Sequence, residues 1–125
     1  MKINALITFV GIISLSVISC KAQEEKTDVT ILSIEEAKTI LAEEPDAVFL
    51  DVRTPEEFKE GHIPGAVLIN FFDENFKEQV EDLDKDKPVY IYCRSGNRSQ
   101  KAGKILTEMG FKEVYDIEKG YQGWE

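Results

Sequence analysis

Val89-Tyr90-Ile91-Tyr92-Cys93-Arg94-Ser95-Gly96-Asn97-Arg98-Ser99 is the stretch on which the reading of the chain turns. Its first four residues are apolar or aromatic without interruption, which suits a strand covered on both faces. Gly96 and Asn97 tolerate left-handed backbone angles, so a tight loop follows. From Ser99 the chain is expected to turn helical, because Ala102, Ile105, Leu106 and Met109 fall at i, i+3, i+4 and i+7. Gly110 is the natural stop. Cys93 therefore falls where a strand ends, and a loop carries its backbone N–H groups round to a helix N-terminus. Such a place attracts anions and favours a thiolate. Arg94 and Arg98 add positive charge on either side. A lone cysteine is most often an inert core residue, but a core would not choose the charged, polar and glycine residues that follow. Cys93 is thus the candidate nucleophile. Arg94, Ser95, Gly96, Asn97, Arg98 and Ser99 are the candidate groups around a bound anion.

Working outward, the pattern alternates strand and helix. Val29 to Leu32 reads as a short strand. Ser33 with Glu36 forms a capping box that opens a helix to about Glu43, closed by Pro45. Ala47 to Val52 is a second buried strand, ending at Arg53. Thr54-Pro55-Glu56-Glu57 is another helix start, with Thr54 as cap, Pro55 at the first position and Glu57 completing the box. Gly61 ends that helix, His62 to Ala66 is a turn, and Val67 to Ile69 is a third strand. Glu74 to Val80 reads as a helix with Phe76 and Val80 inward. Asp82 to Pro88 is a charged turn, and Val114 to Ile117 is a last strand. Strands alternating with helices imply an α/β fold: a central, mostly parallel sheet flanked by helices on both faces, with the Cys93 loop at the strands' carboxyl ends.

At 125 residues, 42% hydrophobic and 31% charged, the chain fits one globular domain. A net charge of −9 argues against a nucleic-acid partner. It leaves room for a small anionic substrate, since the local field decides that. Arg53, Arg94, Arg98, Lys101 and Lys104 are candidates for a positive mouth on an acidic body. The lysines are also read as solvated helix-face charges, the usual place for lysine.

The other cysteine lies in a different kind of sequence. Met1-Lys2 is a minimal basic start, and Ala5 to Val17 is an apolar run too short to span a bilayer comfortably. Val17-Ile18-Ser19-Cys20 then resembles the lipobox of bacterial lipoproteins. The resemblance implies a signal peptide over residues 1–19, cleavage before Cys20, and lipidation of Cys20. It also implies membrane attachment through that N-terminal lipid, facing the periplasm or the cell surface of a bacterial envelope. Residues 20–28 are polar and aperiodic and read as a tether, leaving residues 29–125 as the domain. A plain signal peptide and an uncleaved anchor are the alternatives. The body then holds one thiol, Cys93, and no intramolecular disulfide.

Several motifs together resemble the rhodanese (sulfurtransferase) family. Cys93, Gly96 and Arg98 match its active-site loop Cys-x-x-Gly-x-Arg. Asp51-Val52-Arg53, Glu57-Phe58 and Gly61-His62-Ile63-Pro64-Gly65-Ala66 match its upstream segment. Gly120-Tyr121-Gln122-Gly123-Trp124 is similar to its closing glycine-rich segment, with Lys119 where a second glycine is common. The resemblance covers about Ile31 to Trp124 and implies a single-domain rhodanese. It also implies that Cys93 takes a sulfane sulfur from a small anionic donor such as thiosulfate, holds it as a persulfide, and passes it to cyanide or a thiol.

Asp51 and Arg53 are polar groups ending an apolar strand, so a bracing network suits them better than catalysis. His62 belongs to a structural turn in the family, and its glycine and proline neighbours agree. Trp124 is read as a core or rim plug. No cofactor is expected, and a single histidine makes a zinc site improbable. The domain is expected to act as a monomer. Two rival readings stand. Cysteine phosphatases and arsenate reductases use a similar cradle, but with five residues between cysteine and arginine where this chain has four. A non-catalytic binding module would usually lack the cysteine.

Overall fold

The computed structural model describes residues 28–125; the leader, Cys20 and all but the last residue of the tether lie outside them. Ten elements follow in order: β1 (Thr30–Leu32), α1 (Ile34–Glu43), β2 (Val48–Asp51), α2 (Pro55–Glu60), β3 (Val67–Leu68), α3 (Phe76–Val80), β4 (Val89–Tyr92), α4 (Asn97–Glu108), β5 (Val114–Ile117) and α5 (Gly120–Trp124). The five strands form one sheet in the order β1-β5-β4-β2-β3, and every pairing is parallel. β4 lies at the centre, with all four residues buried.

Each sheet face has its own apolar layer, because side chains alternate along a strand. Val89, Ile91 and Cys93 share one layer with Phe76 and Val80 of α3 and Ala102 and Leu106 of α4. Tyr90 and Tyr92 share the other with Ala37 of α1, and with Tyr121 and Trp124 of α5 at its edge. Burying a side chain such as Ile91 or Leu106 contributes about 1.5–3 kcal/mol, so the two layers hold β4 from both sides.

Local chemistry sets the helix starts. The Ser33 hydroxyl accepts from the Glu36 amide at 3.1 Å, and the Ser33 amide donates to the Glu36 carboxylate at 3.0 Å. The Thr54–Glu57 box does the same for α2. α4 begins at Asn97, two residues before the Ser99 start that apolar spacing suggested. The cause is Gly96, whose φ of 109° reverses the chain directly into the helix. The closing glycine-rich segment, for which the sequence suggested no helix, forms one, α5. Lys119 enters it at φ 61°, so the backbone keeps the left-handed turn without the second glycine.

Candidate active site

The site is built where β4 runs out. Cys93 follows β4 directly and is 1% exposed. Arg94, Ser95 and Gly96 then turn the chain into α4. The turn folds its amides inward: Gly96 N–H donates to Cys93 Sγ at 3.0 Å. The Ser99 hydroxyl, fully buried one helical turn on, lies 3.4 Å from the sulfur and 3.1 Å from the Gly96 carbonyl oxygen. Burial alone would push the Cys93 thiol up. The Ser99 hydroxyl and the amides of Ser99, Gly96 and Ser95 outweigh that and hold it below the ordinary thiol value.

A second element holds the loop from outside. α5 starts against it, with Tyr121 N–H donating to the Cys93 carbonyl at 2.8 Å and Gln122 N–H to the Arg94 carbonyl at 3.0 Å. Gly120 makes this approach possible. A Cβ there would run into the Cys93 carbonyl oxygen and come within 2.8 Å of that of Arg94.

The Asp51–Arg53 motif lies beside β4, since Asp51 pairs in register with Tyr92. Arg53 meets Asp51 through two guanidinium nitrogens, at 2.9 Å and 2.6 Å, and also donates to the Gly61 carbonyl at 2.7 Å. Its guanidinium lies 4.4 Å from the Tyr121 ring centroid. β2, the turn after α2, and α5 are thereby tied together. His62 is exposed, stacks on Phe58 at 3.6 Å between centroids and shares a hydrogen bond with the Phe58 carbonyl at 2.8 Å. These contacts hold the turn and do not bring the ring to Cys93.

The positive mouth is smaller than the expected set of five cations. Lys101 and Lys104 are exposed on α4, and Arg53 is taken by Asp51. Arg98, which the sequence reading assigned to a bound anion, makes a two-pronged ion pair with Glu57 at 2.7 Å and 3.0 Å. Arg98, opposed by burial and aided by the Thr54 amide, holds the Glu57 carboxyl down to about 2. Glu57 was legible as a helix cap and as part of the upstream motif; its reach across 41 residues to Arg98 depends on how α2 packs. Arg94 remains: it is exposed, and it makes no ion pair among the described residues. It lines a cavity of about 190 Å³ with Arg53, Glu57, Glu60, Tyr121 and Gln122. Ser95 in the loop and Asn97 at the start of α4 are exposed. Among the described residues no group of three or more His, Cys, Asp or Glu is placed to hold a metal ion, and no helix is long and apolar enough to cross a membrane.

Comparison with known proteins agrees with this geometry. Residues 33–125 match the Rhodanese-like domain family. The thiosulfate sulfurtransferase GlpE of Coxiella burnetii is 38% identical over 85 residues, covering 68% of this chain and 78% of the relative. GlpE of Pseudomonas syringae is 36% identical over 81 residues, covering 65% and 74%. The crystal structure of a rhodanese-like domain protein from Staphylococcus aureus superposes with a TM-score of 0.70 at 30% identity, covering 78% of this chain and 92% of that one. With a cysteine cradled at the end of the central parallel strand, and with kinship over most of the described domain, the chain belongs to the rhodanese-like family, whose relatives include sulfurtransferases.

Proposed function

We propose that the protein is a sulfurtransferase of the thiosulfate type, with Cys93 as nucleophile. The observation that carries the reading is the cradle itself: an amide donating at 3.0 Å to one buried sulfur, with a hydroxyl oxygen 3.4 Å from it. Groups placed to favour a thiolate also suit a persulfide anion at the same spot. The Cys93 thiolate attacks the outer sulfur of thiosulfate. A new S–S bond forms, the old one breaks, and sulfite leaves with the bonding electron pair. A thiophilic acceptor, cyanide or a thiolate, then attacks the outer sulfur of the persulfide and frees Cys93. Arg94, unpaired at the cavity mouth, takes the anionic donor; Arg98 acts through Glu57 to hold the loop.

Intact-mass measurement of the full chain after thiosulfate treatment tests this. We expect a gain of one sulfur, removed by cyanide and absent in Cys93→Ser. No gain in the wild type overturns the reading. Arg94→Gln is expected to raise the thiosulfate KM about tenfold, the effect of one charge-assisted contact, with little change in kcat. We further propose attachment to the bacterial envelope through lipid on Cys20, supported by the Val17-Ile18-Ser19-Cys20 pattern. Metabolic palmitate labelling that survives Cys20→Ala excludes it.

A further inference from the structure

The cavity beside the Cys93 loop holds charges of both signs. Its wall is joined to that loop: Tyr121 and Gln122, which line it, donate their amides to the Cys93 and Arg94 carbonyls at 2.8 Å and 3.0 Å. Arg94 lines it one residue after the nucleophile. Glu60, the last residue of α2, and Glu125, just after α5, line it as well. Both glutamates are exposed, and neither makes an ion pair among the described residues. The remaining charged residues of the wall are answered elsewhere, Arg53 by Asp51 and Glu57 by Arg98. The fold therefore leaves open one guanidinium, of Arg94, and two carboxylates, of Glu60 and Glu125.

Thiosulfate matches only part of this set. Its negative charge suits Arg94 and is opposed by the two carboxylates. In a ping-pong reaction the first product leaves before the second substrate enters, so the sulfur acceptor meets the same charges in its turn. The cavity holds about 190 Å³, less than the roughly 300–1,000 Å³ of sites for drug-sized ligands. That size suits a small molecule.

We propose that the sulfur acceptor is a small zwitterionic thiol of the amino-acid type, held by its carboxylate on Arg94 and by its ammonium on Glu60 and Glu125. The inference rests on reading Cys93 as the carrier of the sulfur. The acceptor's thiolate attacks the outer sulfur of the Cys93 persulfide. A new S–S bond forms on the acceptor, the bond to Cys93 breaks, and its electron pair stays on Cys93 as the thiolate. The acceptor leaves as a persulfide, total charge is unchanged, and no oxidant is needed. An ion pair open to water contributes little by itself. Two of opposite sign distinguish this acceptor from thiols that carry one charge or none.

The test uses the full chain loaded with sulfur from thiosulfate, and follows its discharge by intact mass. L-cysteine is compared with N-acetyl-L-cysteine, which keeps the carboxylate and lacks the ammonium, at equal thiolate concentration. Wild type is expected to prefer L-cysteine about fivefold, the scale of an exposed ion pair. The preference is expected to shrink in Glu60→Gln and to vanish when Glu125→Gln is added. No preference in wild type, or one unchanged in the doubly substituted chain, overturns the proposal. A second arm needs no sulfur transfer. S-methyl-L-cysteine and its N-acetyl form, which have no free thiol, are titrated against the amide NMR signals of Arg94 and Gln122. The free amine is expected to shift them at about fivefold lower concentration, and equal titrations overturn the proposal. A chain that takes no sulfur from thiosulfate sinks the sulfurtransferase reading, and the titration still decides this one.

Discussion

The carboxyl ends of β2 and β4 lie side by side and treat their polar groups in opposite ways. At the end of β2, Arg53 is enclosed: Asp51, the Gly61 carbonyl and the faces of Tyr92 and Tyr121 satisfy it. At the end of β4, the amides of Ser95, Gly96 and Ser99 converge on one sulfur that gains most from them when it is an anion. The first arrangement is complete in the resting protein. The second suits the charge that the proposed chemistry creates. A charged motif at a strand end is therefore not itself a sign of catalysis; what separates brace from nucleophile is whether its partners are supplied by the fold or kept for a reaction.

Breaking the brace should have the larger effect on stability. Arg53→Ala leaves Asp51, which is fully buried, without its cation, a loss of about 3–5 kcal/mol. That is a large share of the roughly 5–15 kcal/mol that holds a domain together. Chemical denaturation would show it; a loss under 1 kcal/mol would mean that the pair is dispensable. Disturbing the end of β4 should cost stability too, since a Cβ at Gly120 meets backbone at a φ of 54°, but it should strike the proposed reactivity harder. Gly120→Ala is expected to push the Cys93 and Arg94 carbonyls away and slow persulfide formation about a hundredfold, the scale of an ångström misplacement. Unchanged single-turnover kinetics would remove α5 from the account.

The smallest effect concerns the link between the two ends, Glu57–Arg98. Its carboxyl is held down to about 2 in the folded chain, so its contribution is present above the ordinary glutamate value and is lost as pH falls toward 2. The pair is partly exposed, so solvent screening limits it to under about 1 kcal/mol. Glu57→Gln keeps the helix cap and drops the charge. Its stability deficit is expected at neutral pH and should vanish near pH 2, measured by denaturant titration at each pH. A deficit that persists in acid would assign the effect to capping instead.

Much of this was legible from spacing. Val89 to Tyr92, the two capping boxes and the Ala102–Leu106 stripe are local patterns, and they place five strands and their helices. The cradle was legible in kind, because Cys93, Gly96 and Ser99 lie within seven residues of one another. The pairing of Arg98 with Glu57 was not legible, because that partner is 41 residues away, on a helix whose orientation no local pattern states. Asp116 did leave a signal, a charge inside the apolar run Val114 to Ile117, but its burial without a partner for Oδ1 among the described residues was not legible. α5 was missed because its glycines are helix-breakers by propensity; packing on the Cys93 loop holds it as a helix.

Local patterns were enough for the order of strands and helices, for the parallel sheet and for the family that the Cys93 loop resembles. Those follow from periodicity, capping and turn chemistry, which act over a few residues. It took the folded chain to bring Arg98 to Glu57 and to leave Arg94 without an ion pair among the described residues. The reason is physical: a charge is spent or kept according to what lies within about 4 Å of it, and those neighbours come from opposite ends of the chain.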